Sequence, residues 1–229
     1  MSDDQSPIPT PSQREVLVRR WLSVAALEHA SVGSFARFTL QLLAVGAPPD
    51  LLLATQQAAA DEVRHAVFAY GQASRFAGEA LGPGPLPLDE AMPALDVRGV
   101  IAGLLDEACI GESVGAAEAA VCADAARDSA IRTGLSQVAK DEASHAALAW
   151  KSLRWLLMQH PGELDFASSH FDAALSQHRA RLSAVGDDDD LSTWGFPSGQ
   201  ARCAAQLEAL DSVVVEVGRA LFASLRSSH

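Results

Sequence analysis

The sequence predicts an all-α fold: an antiparallel four-helix bundle with one long crossover connection, plus two additional C-terminal helices. Apolar residues recur at three- and four-residue spacing through long segments rich in Ala and Leu, which is typical of amphipathic helices. Connections rich in Gly and Pro separate these segments. One acidic motif occurs in two of the segments, 80 residues apart (142 − 62), which is about the length of two helices with their connections.

The first two helices form a predicted hairpin. The first helix runs from about 12 to 45 and ends at the Gly and Pro residues of 46–49. Asp50 is the expected N-cap of the second helix, which continues to about Gly78. The Gly- and Pro-rich residues 82–93 then form the long crossover that this kind of bundle requires between its two hairpins.

Four further helices follow the crossover. Asp96 and Ser198 are the expected N-caps of the third and the last helix, and residues 127–129 separate the third helix from the fourth. The predicted ranges are 97–126, 130–159, 163–185 and 199–224. The chain therefore divides into a flexible N-terminal tail (1–12), a four-helix bundle (13–159) and a C-terminal helical extension packed on the bundle (160–229).

Charge and composition argue against two classes of partner and indicate a cellular compartment. The net charge is −12, which argues against a nucleic-acid backbone or an anionic membrane surface as partner. No apolar run reaches the roughly 18 residues that span a bilayer. The three cysteines form no Cys-x-x-Cys pair, and residues 1–13 have neither the basic nor the apolar part of a signal peptide. We therefore expect reduced thiols and a cytoplasmic protein.

The repeated motif is Asp-Glu-x-x-His-Ala. Its first copy contains Glu62 and His65, and its second copy contains Glu142 and His145. Residues three apart lie on one face of a helix, so each Glu points the same way as its His. A carboxylate and an imidazole are costly to bury without partners, and a metal ion would satisfy both. Two such helices facing each other, each beside a helix that supplies one more Glu, form a dinuclear metal site.

The positions of the turns indicate the two remaining carboxylates. Residues equidistant from the turn of an antiparallel hairpin lie at the same height. Glu28 is level with Glu62, because their midpoint is residue 45, and Glu112 is level with Glu142, because their midpoint is residue 127. Small or apolar residues flank Glu28 and Glu112, which predicts a buried face for both. Glu107 is the alternative to Glu112, either as a ligand or as a residue that supports the ligands.

These residues resemble the ferritin-like di-iron carboxylate superfamily over about 17–158. The resemblance implies two iron ions, with manganese as the alternative, and six ligands: Glu28, Glu62, His65, Glu112, Glu142 and His145. Asp61 and Asp141 resemble the Asp that precedes the ligand Glu in bacterial multicomponent monooxygenases and ribonucleotide reductase small subunits. By that likeness Asp61 would hold His145 and Asp141 would hold His65. Such a carboxylate fixes a ligand imidazole and makes it more basic.

The resemblance implies an oxidoreductase that binds and reduces O2 and oxidises a small organic substrate. We find no dinucleotide-binding fingerprint, so electrons would come from a partner, a small reductant or the substrate itself. Two alternatives stay open: an iron-handling protein such as a ferroxidase, and a metal-poor helical interaction module. The fold does not decide between these activities. The sequence also leaves a homodimer open.

Overall fold

The computed structural model describes residues 8–88, 95–183 and 190–227, and nearly all of them are helical. In chain order the first five helices are α1 (Pro11–Ala44), α2 (Pro49–Ala77), α3 (Val97–Gly103), α4 (Ser113–Ala125) and α5 (Ser129–Gln159). A π-helical segment, Leu104–Glu112, joins α3 to α4 without a break, so that 97–125 is one continuous helix.

Two helical arms follow α5. The first is α6, Leu164–Ser183, which begins after a 3-10 turn at Pro161–Glu163. The second combines α7 (Gly199–Ala209), a short π-helical segment (Leu210–Val214) and α8 (Val215–Arg226). The prediction of an all-α chain is confirmed, since the described ranges contain no β-strand. Residues 1–7 of the predicted tail, 89–93 of the predicted crossover and 184–185 of the predicted fifth helix lie outside the described residues.

Most helix boundaries follow the local signals of the sequence. Asp96 and Ser198 accept hydrogen bonds from backbone N–H groups of the helices they cap, as predicted. Gly78 ends α2 in the left-handed conformation, with φ at 78°. The predicted cap at Asp50 is wrong, because α2 begins with Pro49, whose fixed φ suits the first helical position. The Asp50 carboxylate instead accepts a hydrogen bond from Lys151 at 2.6 Å.

The helices pack against one another in pairs around the buried polar residues. Helix α1 packs along α2, α4 packs along α5, and contacts between α2 and α5 join the two hairpins. Helix α6 lies against α3 and the π-helical segment 104–112, α7 lies against α4, and α8 lies against α5. The C-terminal arms therefore pack mainly on the second hairpin. None of the helices in the described ranges combines the length and apolar character that crossing a bilayer would require.

Apolar side chains fill the two ends of this arrangement and leave its middle polar. One end contains Trp21, Phe76 and Ile131, together with Phe196 of the 191–196 loop. The other end and the contact with α6 and α8 contain the residues around Leu105, Leu153, Leu42 and Leu210. The buried carboxylates and imidazoles lie between these apolar regions, so water reaches them from few directions.

Two glycines in neighbouring helices give a matched test of this packing. A Cβ at Gly134 of α5 would overlap the ring of Phe68, which lies edge-on to the buried Trp21 with ring centroids 5.5 Å apart. A Cβ at Gly71 of α2 would meet no atom within 4 Å. We expect Gly134→Ala to lower the free energy of unfolding by about 1–3 kcal/mol through overpacking. Gly71→Ala should raise it by up to about 1 kcal/mol through helix propensity. Urea denaturation measures both effects, and shifts of the same sign would contradict this packing.

Asp128 ties the α4–α5 turn to α2. Its carboxylate is fully buried and accepts hydrogen bonds from the N–H groups of Ala130 at 3.1 Å and Ile131 at 3.0 Å. It also pairs with Arg75 of α2. Burial opposes ionisation of this carboxyl, but Arg75 and the two N–H groups outweigh it, so the pKa of Asp128 lies below its ordinary value.

This pKa shift predicts a pH-dependent contribution to stability. The stabilisation should be fully present above pH of about 4, the pKa of an unfolded Asp, and should disappear as the pH falls through the lower folded pKa. At pH 7 we expect Asp128→Ala to cost about 1–2 kcal/mol, since it removes the helix cap and the ion pair. Asp128→Asn keeps the cap and should cost less. Denaturation midpoints measured from neutral to acidic pH test this, and a gap between wild type and Asp128→Asn that persists in acid would contradict it.

Candidate metal centre

Four helical segments bring the six predicted ligands together in the polar middle of the protein. The side chains come from α1 (Glu28), α2 (Glu62 and His65), the last position of the π-helical segment (Glu112) and α5 (Glu142 and His145). They form two overlapping groups, one with Glu28 and His65 and one with Glu112 and His145. Glu62 and Glu142 belong to both groups, and within each group the ligand atoms lie within 4.8 Å of one another.

The two shared carboxylates make the two groups adjacent, so that each group could be one of two neighbouring metal positions. A carboxylate has two oxygens, so Glu62 and Glu142 can each face both positions. The imidazole rings of His65 and His145 belong to different groups, and their ring centroids lie 6.0 Å apart. Glu62, Glu142 and both histidines are buried, whereas the Glu28 and Glu112 side chains are 17% and 19% exposed. The residues of this centre could therefore hold two metal ions.

Four inward-facing atoms of the centre have no hydrogen-bond partner. His65 Nδ1 lies 3.3 Å from Glu142 Oε1 and 3.6 Å from Glu28 Oε2. His145 Nδ1 lies 3.0 Å from Glu62 Oε1. None of these contacts has hydrogen-bond geometry, and both Nδ1 atoms and both Glu62 oxygens are buried without a partner. Each buried unpaired polar group costs about 1–3 kcal/mol. Donor atoms that are buried without partners and face the same space are suited to bind metal ions.

The outward-facing nitrogen of each imidazole meets an aspartate of the opposite helix. His65 Nε2 lies 3.1 Å from Asp141 Oδ2, and His145 Nε2 lies 3.4 Å from Asp61 Oδ2. This is the pairing that the family resemblance implies. In the neutral ring, a carboxylate at Nε2 favours the tautomer with the proton on that nitrogen, so that Nδ1 would direct its lone pair at the centre once its own proton is lost.

Two glutamines extend this arrangement, and our sequence analysis missed them. Gln57 Nε2 donates to Asp61 Oδ1 at 3.2 Å, and Gln137 Nε2 donates to Asp141 Oδ1 at 2.9 Å. Each Gln lies four residues before its Asp, on the same helix face. The repeat is therefore one turn longer than the motif that we identified, Gln-x-x-x-Asp-Glu-x-x-His-Ala. Extending the comparison of the two copies toward their N-terminal sides would have found both glutamines.

The π-helical segment and its contact with α6 were also not predicted. Segments of this kind are frequent at functional sites, and this one ends at Glu112. His170 Nε2 lies 3.0 Å from both carboxylate oxygens of Asp106, and His178 Nε2 lies 3.2 Å from the Asp106 carbonyl oxygen. Helix α6 thus braces the segment that positions Glu112. Neither His has a spacing in the sequence that indicates this contact.

Glu107 lies apart from the ligand groups. Its carboxylate pairs with Arg37 of α1, and its side chain is 54% exposed. Neither of the two groups of potential ligands in the described residues includes it. Of the two carboxylates that the sequence left as alternatives on this helix, the structure therefore brings Glu112 to the centre.

In the protein alone, protons balance part of the charge of the four carboxylates. Burial raises the pKa of Glu28 to about 7 and holds the pKa of Glu112 well above its ordinary value. Burial also opposes ionisation of Glu62 and Glu142. For both of these, contacts with neighbouring side chains, His145 among them, outweigh burial and keep the pKa below its ordinary value. The two shared carboxylates are thus the ones that stay ionised.

Protons on the two histidines balance a further part of the carboxylate charge. Burial disfavours their charged form, but contacts with Glu142 and other carboxylates raise the pKa of His65 to about 12 and that of His145 to about 9. An imidazole must lose its Nδ1 proton before that nitrogen binds a metal. Metal binding at this centre would therefore release protons and weaken as the pH falls.

The donor set fits two divalent cations. Four carboxylates supply four negative charges, which two divalent ions would balance. Carboxylate oxygen suits manganese and imidazole suits iron, and a mixed set of this kind accepts either metal.

A cavity of about 480 Å³ opens beside the centre. Glu28 and Glu142 form part of its wall, and apolar side chains of α1, α4 and α5 form most of the rest. Its volume lies within the roughly 300–1,000 Å³ that small-molecule sites occupy.

Removing the hydrogen bond between His65 and Asp141 should weaken metal binding without unfolding the protein. We expect Asp141→Ala to lower the affinity for Mn(II) by about 10–100-fold, because His65 loses the carboxylate that orients it. Asp124→Ala, which removes an exposed Asp of α4, is the matched control and should leave the affinity unchanged. Isothermal titration calorimetry measures both, with circular dichroism to verify the fold. Equal affinities for Asp141→Ala and the wild type would contradict this role of Asp141.

Comparison with known proteins adds no relative. No family model, curated protein or solved structure matches the chain, so the reading of this centre rests on its own residues and their geometry.

Proposed function

We propose that this chain is a ferritin-like four-helix bundle whose dinuclear metal centre binds and reduces O2 and oxidises a small organic substrate. The metal is iron, with manganese as the alternative. The four helices of the bundle are α1, α2, the continuous helix 97–125 and α5. One observation carries the proposal: two ligand groups share Glu62 and Glu142, and both Glu62 oxygens and the Nδ1 atom of each histidine are buried without hydrogen-bond partners.

Each residue of the centre has a distinct task in this proposal. Glu28 and His65 would hold one ion, Glu112 and His145 would hold the other, and the two shared carboxylates would contact both. Asp61 and Asp141 keep the imidazoles oriented from behind. When bound, the two metal ions would supply the redox chemistry with O2 that protein side chains lack. The apolar surroundings keep water away from the reacting groups.

The cavity favours an organic substrate over iron as substrate. It reaches Glu28 and Glu142, and its wall is mostly apolar. A path for iron ions would be better served by a row of carboxylates, which attract cations. The electron donor in this proposal is a partner, a small reductant or the substrate.

Metal titration tests the ligand set, and the chain offers a matched pair of variants. Under anaerobic conditions we expect the wild type to bind two Fe(II) ions per chain and Glu112→Gln to bind fewer, since it removes one carboxylate of the second group. Glu107→Gln changes a Glu five residues away that pairs with Arg37, and it should still bind two. Bound metal should also raise the free energy of unfolding, by about 2.7 kcal/mol for each site at a free metal concentration of 100 times the dissociation constant.

The opposite pattern would count against this ligand set. Normal binding by Glu112→Gln with loss of binding in Glu107→Gln would assign the ligand role to Glu107. A wild type that binds no metal would remove the proposed centre and favour a helical interaction module.

Oxygen consumption tests the proposed activity. The Fe(II)-loaded protein should consume O2 in proportion to its centres and show a transient oxygen-derived absorption band, and Glu62→Ala should show neither. Rapid mixing with optical detection and an oxygen electrode measure both quantities. Continued oxidation of added Fe(II) with accumulation of ferric product would instead favour a ferroxidase. A two-iron protein that leaves O2 unconsumed would contradict the proposal.

A further inference from the structure

The contacts behind the two histidines of the centre match atom for atom. Oδ2 of Asp61 faces Nε2 of His145, and Oδ2 of Asp141 faces Nε2 of His65. Oδ1 of each aspartate accepts a hydrogen bond from the Gln four residues earlier on its own helix. If these were the only contacts, the two imidazoles would have equal support, and the two metal positions would be expected to bind an ion equally well.

One charged residue breaks the match between the two copies of the motif. Arg64 of α2 forms an ion pair with Oδ1 of Asp61, three residues earlier. The equivalent residue of the second copy is Ser144, whose hydroxyl donates a hydrogen bond to the Lys140 carbonyl oxygen at 3.0 Å. Within the described parts of the chain, neither a Lys nor an Arg forms an ion pair with Asp141, whose contacts are with His65 and a Gln.

The ion pair with Arg64 reduces the negative charge that Asp61 presents to His145. A carboxylate behind a ligand imidazole makes that imidazole more basic and its metal bond stronger, so a carboxylate whose charge is partly balanced does this less well. The guanidinium also repels a cation bound nearby. The distances agree with this difference, because His145 Nε2 lies 3.4 Å from Asp61 and His65 Nε2 lies 3.1 Å from Asp141.

The exposure of the ion pair limits the size of its effect. The Arg64 side chain is 58% exposed and that of Asp61 is 11% exposed, so solvent and salt screen part of the interaction. Removing an orienting carboxylate costs about 10–100-fold in metal affinity, and balancing part of its charge should therefore cost less, about three- to tenfold. Lys140 is exposed and precedes Asp141 in the chain, but neighbouring residues of a helix point about 100° apart.

From these contacts we infer that the two metal positions are inequivalent and that Arg64 makes them so. The position of His65 binds a divalent ion more tightly, and the position of His145 binds it more weakly. Arg64 is a positioning residue that acts on His145 through Asp61. The inference rests on the proposed function, because it assigns different affinities to the two positions of the proposed centre.

The tighter position is the one beside the large cavity. Glu28, which belongs to the group of His65, lines the cavity of about 480 Å³. Glu112, which belongs to the group of His145, lines a separate pocket of about 40 Å³ together with Phe35. When metal is scarce, a single bound ion would therefore lie on the side of the cavity.

Variants that keep one position each measure the two affinities separately. Glu112→Gln keeps the position of His65, and Glu28→Gln keeps the position of His145. Mn(II) is titrated into each variant, and the free ion is measured by electron paramagnetic resonance, which requires no turnover. We expect one Mn(II) per chain in both, with a dissociation constant about three to ten times larger in Glu28→Gln.

Removing Arg64 should strengthen the weaker position alone. In the Glu28→Gln background we expect Arg64→Met to lower the dissociation constant for Mn(II) about three- to tenfold, because Asp61 regains its full charge. In the Glu112→Gln background the same change should have no effect. Arg64→Lys keeps the positive charge and should retain the weak affinity. A residue that only stabilised the fold would not improve binding at one position when it is removed.

Adding an arginine to the second copy should have the opposite effect. Ser144→Arg places a guanidinium three residues after Asp141, as Arg64 stands after Asp61, and position 144 is exposed. In the Glu112→Gln background it should weaken Mn(II) binding about three- to tenfold. Lys140→Met removes an exposed charge beside Asp141 and is the matched control, with unchanged affinity.

The same changes in the wild-type background keep the test decisive if a single-position variant binds no metal. Arg64→Met should lower only the second stepwise dissociation constant, and Ser144→Arg should raise only the first. Unchanged affinities in Arg64→Met, or equal changes at both positions, would overturn the inference. Two Mn(II) per chain with either result would leave the metal centre standing. A wild type that binds no Mn(II) would contradict the inference and the proposed function together.

Discussion

Four carboxylates and two imidazoles face one another inside a helical core, and the cost of burying them is the constraint on which the rest of the structure depends. Unpaired charges in an apolar setting repel one another and favour the unfolded chain. Protons relieve part of this repulsion in the protein alone, as the raised pKa values of Glu28 and both histidines indicate. Apolar layers at the two ends supply the stability that tolerates such a centre. A site that costs stability and is still mostly buried indicates a task other than holding the fold together.

Hydrogen bonds from neighbouring side chains support the ligands of the centre. Asp61 and Asp141 hold the imidazoles, and a Gln one turn earlier holds each Asp. Helix α6 braces the π-helical segment through Asp106, and the loop at Phe196 lines the cavity. The C-terminal extension, for which the sequence indicated no role, thus contacts both the segment that ends at Glu112 and the cavity beside the centre.

Much of this arrangement followed from the spacing of residues in the sequence. Helical periodicity and turn symmetry suffice to place Glu28 level with Glu62 and Glu112 level with Glu142, because both depend only on local geometry. The π-helical turn before Glu112 could not be predicted, since the same residues also suit an α-helix and tertiary contacts make the choice. Contacts between distant parts of the chain, such as Arg202 with Glu118 or Asp50 with Lys151, leave no periodic signal. The orientation of Glu107 toward Arg37 is of the same kind.

The two His–Asp hydrogen bonds that link α2 to α5 have a consequence for folding kinetics. Each joins residues far apart in the chain, 76 positions for His65 with Asp141 and 84 for His145 with Asp61. Each helical hairpin forms from local contacts, whereas these bonds form only when the two hairpins dock, and closing so long a loop is slow. Until then a hairpin presents no more than three of the six ligands and no orienting Asp for its own His. The proposed metal site would therefore form late, and a nascent chain with only its first hairpin exposed would hold an ion weakly.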